Sequence, residues 1–158
     1  IRDSSVTGVQ TCALPILLVR LLYASRAIAG IDAATADSIL VQARRNNPAR
    51  GITGLLCFSD DVFVQLIEGG RDAVSDLFAA ILRDERHSHV RLLSFEETSE
   101  RRFVAWMMGE VNLELANPQL LMRFSLEAKL DPFHVSAKTT MALLEELAAT
   151  GAVASRTA

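Results

Sequence analysis

Cysteine is scarce in this sequence: Cys12 and Cys57 are the only two in 158 residues. Two cysteines make neither a disulfide framework nor a thiolate metal cluster, which points to a reducing, cytoplasmic setting. Glycine and proline are also few, at 8 and 4, while half of the residues are hydrophobic. That balance excludes collagen-like repeats and extended disorder, and describes one globular domain with a sizeable core. No uncharged apolar run approaches the roughly 18 residues of a membrane span, because Arg20 interrupts the longest early candidate. The net charge of −3 removes any global electrostatic case for nucleic acid or an anionic membrane as partner. Enzyme signatures are missing as well: there is no GxSxG, Walker A, HExxH or GxGxxG sequence.

The first sixteen residues stand apart. Val6–Ile16 (VTGVQTCALPI) matches the in-frame translation of a common sequencing-library adapter, and lacks the basic and apolar regions of a signal peptide. Residues 1–16 are therefore expected to be an assembly artefact in place of the native start, and Cys12 is given no redox meaning.

From Leu17 the pattern becomes that of a folded domain. Leu17, Val19, Leu21 and Tyr23 share one face of a strand under the two-residue period. Ser25–Ala29 reads as a loop, with Asp32 or Thr35 as a helix cap. Ala36, Ile39, Leu40 and Ala43 follow helical spacing, and extending their stripe reaches Asn46 and Asn47. Pro48 predicts that the helix ends there. Ile52–Ser59 and Val62–Glu68 read as a hairpin joined by Asp60-Asp61, and Val74, Leu77, Phe78, Ile81 and Leu82 as an amphipathic helix. A fourth strand is expected at Val90–Phe95, after a polar loop, and a fifth around Trp106–Val111. Further helices should start at Asn117-Pro118 and at Ser136. Two crossover helices on one face of a five-stranded mixed sheet give a ferredoxin-like α+β fold, with two C-terminal helices on its free face.

Within that frame a few residues look chemical. Gln65 shares a face with Phe63 and Ile67, placing an amide among apolar side chains; the alternative is the solvent face of an edge strand. Tyr23, the single tyrosine, points a phenol into an apolar layer, as either a redox group or a core tyrosine bonded to a carbonyl. Asn46-Asn47 offers an edge suited to a planar, polar-rimmed heterocycle, although asparagine also stops helices. Core packing accounts for Trp106, Met107 and Met108. Arg86-His87 suits either a phosphate or a solvated loop, and His87 with His89 lacks the further ligands of a zinc site. Arg44, Arg45 and Arg50 are too few for a nucleic-acid surface but enough for a pyrophosphate.

Taken together, LLYASRA, ARRNNPARGITGLLCFSDDVFVQLIEG, ILRDERHSHVRLL and ERRFVAWMMG resemble the BLUF family, blue-light sensors that use FAD. The resemblance spans Leu17–Leu113, leaving 114–158 as a C-terminal helical extension. It implies that Tyr23 is the photoactive tyrosine and Gln65 the switching glutamine, with Trp106 and Met108 on the strand that distinguishes dark from lit states. It also implies flavin contacts from Ser25, Ile39, Asn46, Asn47, Phe63, Asp84, Arg86 and His87. Pro48 departs from the alanine of many relatives.

The mechanism implied is that Tyr23 gives an electron and then a proton through Gln65, whose amide is left rotated, tautomerised or both. FAD is the expected cofactor, with FMN or riboflavin as substitutes. The expected partner is an unidentified output protein, with the chain itself a homo-oligomer that performs no catalytic turnover and has no metal, nucleic-acid or membrane partner. Two alternatives stand beside this: a BLUF-like interaction module without flavin, and a small acylphosphatase-like hydrolase. The latter lacks a glycine-rich phosphate loop after the first strand.

Overall fold

The computed structural model describes residues 17–28, 33–106 and 108–153. The alternating run that begins near Leu17 forms strand β1 (Leu18–Ala27), followed by helix α1 (Ala33–Arg50) and the hairpin β2 (Thr53–Ser59) and β3 (Val62–Gly70). Helix α2 (Arg71–Leu82) leads into β4 (His87–Thr98), and a long connection reaches β5 (Gly109–Asn112). Helices α3 (Pro118–Met122) and α4 (Ala137–Ala149) follow. The sheet order is β4-β1-β3-β2-β5; neighbours are antiparallel except the β2–β5 pair, which is parallel. This is the ferredoxin-like α+β arrangement read from the sequence.

The two faces of the sheet bury different layers. Val19, Leu21 and Tyr23 meet Val74, Leu77 and Phe78 of α2, while Ala36 and Leu40 of α1 meet Leu56, Phe63 and Met108. On the opposite face Leu22, Leu55, Cys57, Val64 and Leu66 pack with Leu121 of α3 and Leu143, Leu144 and Leu147 of α4. The C-terminal helices therefore share a core with the sheet. Burial there pushes the Cys57 thiol up to about 12, so it stays protonated and inert.

Both C-terminal helices start where expected: Asn117 accepts from the Gln119 N–H, and Ser136 from the Thr139 N–H. No described helix is long and apolar enough to cross a membrane.

Four expectations are corrected. Helix α1 runs through Pro48 to Arg50. The missing Pro48 N–H costs the Arg44 carbonyl its partner, but only one turn remains. Gly51, at φ 65°, then closes the helix, with the Ile52 N–H donating to the Asn47 carbonyl. Ser25 to Ala27 are strand, not loop, because β1 stays paired with β3 and β4 there. Strand β4 is longer than Val90–Phe95 at both ends; its mostly exposed side chains gave no apolar signal for the pairing made by its backbone. Strand β5 begins at Gly109, later than Trp106. Thr35 lies inside α1, and Asp32 and residues 1–16 fall outside the described residues.

Candidate functional site

Register brings the first two functional side chains together. Tyr23 on β1 and Gln65 on β3 are direct cross-strand partners, on the face covered by α1 and α2. The Tyr23 hydroxyl donates to Gln65 Oε1, and both residues are buried. That contact fixes the other end of the amide: Gln65 Nε2 donates to Met108 Sδ at 3.4 Å. A carboxamide has two N–H donors and two acceptor lone pairs, so this chain of contacts uses about half of its capacity. Burial, and next the charge of Asp84, push the Tyr23 phenol well above its ordinary range and hold it protonated.

Over this pair lies a cleft of about 840 Å³, its open mouth included. Its floor is Tyr23, Leu56, Phe63 and Gln65. One wall comes from α1, where Ile39, Ala43, Asn46, Asn47 and Arg50 recur at three- and four-residue spacing and so share a helix face. Leu77, Ala80 and Ile81 of α2 form the other wall. Apolar walls with amides and a guanidinium at the rim suit a flat, aromatic ligand edged with carbonyl and N–H groups.

The segment after α2 supplies the polar end. Arg86 Nε lies 2.9 Å from both carboxylate oxygens of Asp84, and its hydrogen bonding holds the Asp84 carboxyl below the usual range. The same guanidinium reaches α1, donating to Gln42 Oε1 at 2.9 Å and to Ser38 Oγ at 3.3 Å. His87 Nε2 faces the Ile81 carbonyl at 3.1 Å, which assigns the proton to that nitrogen and leaves Nδ1 to accept from Ser25 Oγ at 2.9 Å. Burial lowers the His87 pKa, so the ring is neutral near pH 7.

Nine residues singled out in the sequence therefore line one cleft: Tyr23, Ile39, Asn46, Asn47, Phe63, Gln65, Asp84, Arg86 and His87. Ser25 does not line it, and instead orients His87 from behind. Trp106 is also absent from the lining; its ring lies 6.3 Å from that of Phe103 and packs with the C-terminal layer. Met108 does not line the cleft, but its sulfur touches Gln65 and it packs with Leu56 and Phe63 of the floor. Of the basic cluster read as enough for a pyrophosphate, Arg50 also lines the cleft and Arg44 and Arg45 do not; Gln42 was missed, although a four-residue step back from Asn46 would have found it. Among the described residues no group of three or more His, Cys, Asp or Glu side chains could hold a metal ion.

Comparison with known proteins gives the same picture. The model of the BLUF family, described as sensors of blue-light using FAD, matches residues 18–109. The chain is 32% identical over 112 residues to the photoactivated adenylate cyclase subunit beta of Euglena longa, covering 70% of this chain and 12% of that protein. It is 29% identical over 104 residues to the blue light- and temperature-regulated antirepressor BluF of Escherichia coli K12, covering 66% of this chain and 25% of that one. Among solved structures, BlsA in its photo-activated state superposes with a TM-score of 0.73 at 30% identity, covering 89% of this chain and 99% of that chain. The dark-state structure of BlrB, a BLUF protein, gives 0.70 at 33% identity, covering 85% and 97%. The chain thus spans only about an eighth of the cyclase it matches and nearly the whole of the two solved structures. With the match extending from β1 into the start of β5, the chain belongs to the BLUF family of blue-light sensors.

Proposed function

We propose that the cleft holds a flavin, with FAD as the resident form, and that Tyr23 and Gln65 turn blue-light excitation into a changed hydrogen-bond pattern that another protein reads. The observation that carries this reading is the contact chain from Tyr23 and Gln65 on the cleft floor to Met108 behind it. A bound flavin would supply the blue-light absorption and the electron-accepting chemistry. Asn46, Asn47 and Arg50 would hold its polar edge, with Phe63, Leu77 and Ile81 against its faces.

The protein's part is proton control. Tyr23 is held neutral with its proton aimed at the Gln65 oxygen, so an electron leaving the phenol can be followed directly by that proton. Gln65 has two arrangements of similar shape, Nε2 toward Met108 or Oε1 toward Met108. Only the first offers a donor to the sulfur, so reversal breaks that contact. The buried amide is thus a two-state element. Met108 and the strand that follows it are the exit route toward the C-terminal helices, and a separate output protein or a change of oligomer is the proposed receiver. A hydrolase reading finds less support, because β1 continues as paired strand through Ala27 where a phosphate loop would be needed.

The purified chain, loaded with FAD, should show a flavin absorption band that moves slightly to the red under blue light and returns in darkness. A protein that stays colourless after incubation with flavin would overturn the proposal. Replacing Asn47 by Ala should weaken flavin binding about tenfold, the worth of one or two hydrogen bonds lost from a buried edge. Titration of the apoprotein by flavin fluorescence quenching measures it, and wild-type affinity with an unchanged spectrum would remove Asn47 from the contact set.

A further inference from the structure

Met108 is held twice. Gln65 takes its sulfur, and from the other side Arg44 of α1 donates Nε to its backbone carbonyl at 3.2 Å. The same guanidinium has a second, unfinished contact. Its Nη2 is buried, has no hydrogen-bond partner among the described residues, and stops 3.9 Å from Glu110 Oε2, just beyond hydrogen-bond distance. A buried donor left unmade is costly, and completing this contact needs a movement of about one ångström. Glu110 sits on β5, which has four residues and pairs only with β2 among the described strands. That strand is the element least held by its own ladder.

The geometry points to Arg44 as a positioning residue of the light response, with two seats at the start of β5: the carbonyl of Met108, the residue just before the strand, in the dark arrangement, and the Glu110 carboxylate within it in the lit one. This rests on the proposed reversal of the Gln65 amide. Reversal turns Oε1 toward Met108 Sδ, acceptor against acceptor, and frees the start of β5 from β3. Arg44 then closes on Glu110 in a charge-assisted hydrogen bond, and β5 is re-seated against α1. Neither side chain lines the cleft, so the device acts on the lifetime of the lit state without touching the flavin.

The test is dark recovery of the flavin-loaded chain followed by visible absorbance, with the light-minus-dark infrared amide I difference recorded alongside. Glu110→Gln strips the charge from the lit-state seat and leaves a weaker, neutral acceptor, and should speed recovery about tenfold, the difference between a charge-assisted and a neutral hydrogen bond, with dark spectrum, flavin content and red shift unchanged. Arg44→Met should reduce the amide I difference, and adding Glu110→Gln to it should bring no further change in recovery. Arg44→Lys should restore part of the wild-type rate, and with Glu110→Gln keeps the test open if Arg44→Met folds poorly. Wild-type recovery in Glu110→Gln, or additive rates in the double variant, would overturn the inference and leave the flavin reading standing. Loss of the red shift in the unsubstituted chain would instead overturn both.

Discussion

Tyr23→Phe is expected to leave a folded, flavin-loaded protein whose spectrum no longer responds to blue light. The substitution keeps the ring and its contacts, at 5.7 Å from Phe78 and 6.3 Å from His87, and deletes only the hydroxyl. What is lost is the proton aimed at Gln65 Oε1. No other phenol can replace it, since Tyr23 is the single tyrosine in the sequence. Trp106 is the other readily oxidised ring, and it packs with the C-terminal layer, outside the cleft. Gln65→Leu should give the same silent phenotype by a different route, because a leucine fills the space without a switchable amide. Light-minus-dark absorbance at matched flavin content measures both. A normal, reversible red shift in either variant would sink the proposed mechanism. The stability loss should be modest in Tyr23→Phe, about 1–3 kcal/mol, since one buried acceptor is left unpaired.

That expectation was largely legible from the sequence, because Tyr23 and Gln65 each interrupt an apolar face with a period of two. The pairing of the two faces follows from register, and the family resemblance supplied it. Asn46 and Asn47 were legible for the same kind of reason, as amides at the end of an apolar helical stripe. The reading of Pro48 as a helix stop was not, since the penalty of proline depends on how much helix follows it, and here only Ala49 and Arg50 do. Nor could periodicity show β4 at its full length, because an edge strand with an exposed side obeys no burial pattern. Arg44 reads in sequence as one member of a small basic cluster adequate for a pyrophosphate. Its role depends on a carbonyl 64 residues away, and nothing in the spacing of charges announces such a contact.

The least legible residue carries the largest expected loss of stability. Glu68 ends the strand-like run VFVQLIE, where no pattern marks its surroundings, and it is fully buried. Its Oε1 accepts from Arg20 Nε at 2.7 Å, and its Oε2 from the backbone N–H of Phe103 at 2.9 Å, with the Arg102 N–H 3.0 Å from both oxygens. Arg20 is itself almost wholly buried and completes its shell on Glu96 at 2.8 Å. Burial opposes its charge, but hydrogen bonds to Glu68 and Glu96 outweigh that and raise its pKa. Glu68→Ala therefore strands a buried guanidinium together with backbone donors, and should cost about 3–5 kcal/mol. Glu68→Gln keeps one acceptor and should cost less. Pairing it with Arg20→Met should recover stability relative to Glu68→Ala, because no uncompensated charge remains inside. Urea unfolding at constant slope reads all three, and a loss below about 1 kcal/mol in Glu68→Ala would mean the charges find water instead. The consequence extends to the light response. Glu68 and Gln65 lie three residues apart on β3 and project to opposite faces of the sheet; one holds the connection at 102–103 and the other touches Met108. A fixed anchor at one end is what allows a change at the other to be transmitted as displacement. Glu68→Gln should accordingly retain the red shift while shrinking the amide I difference, a separation that a purely stabilising role for Glu68 does not predict.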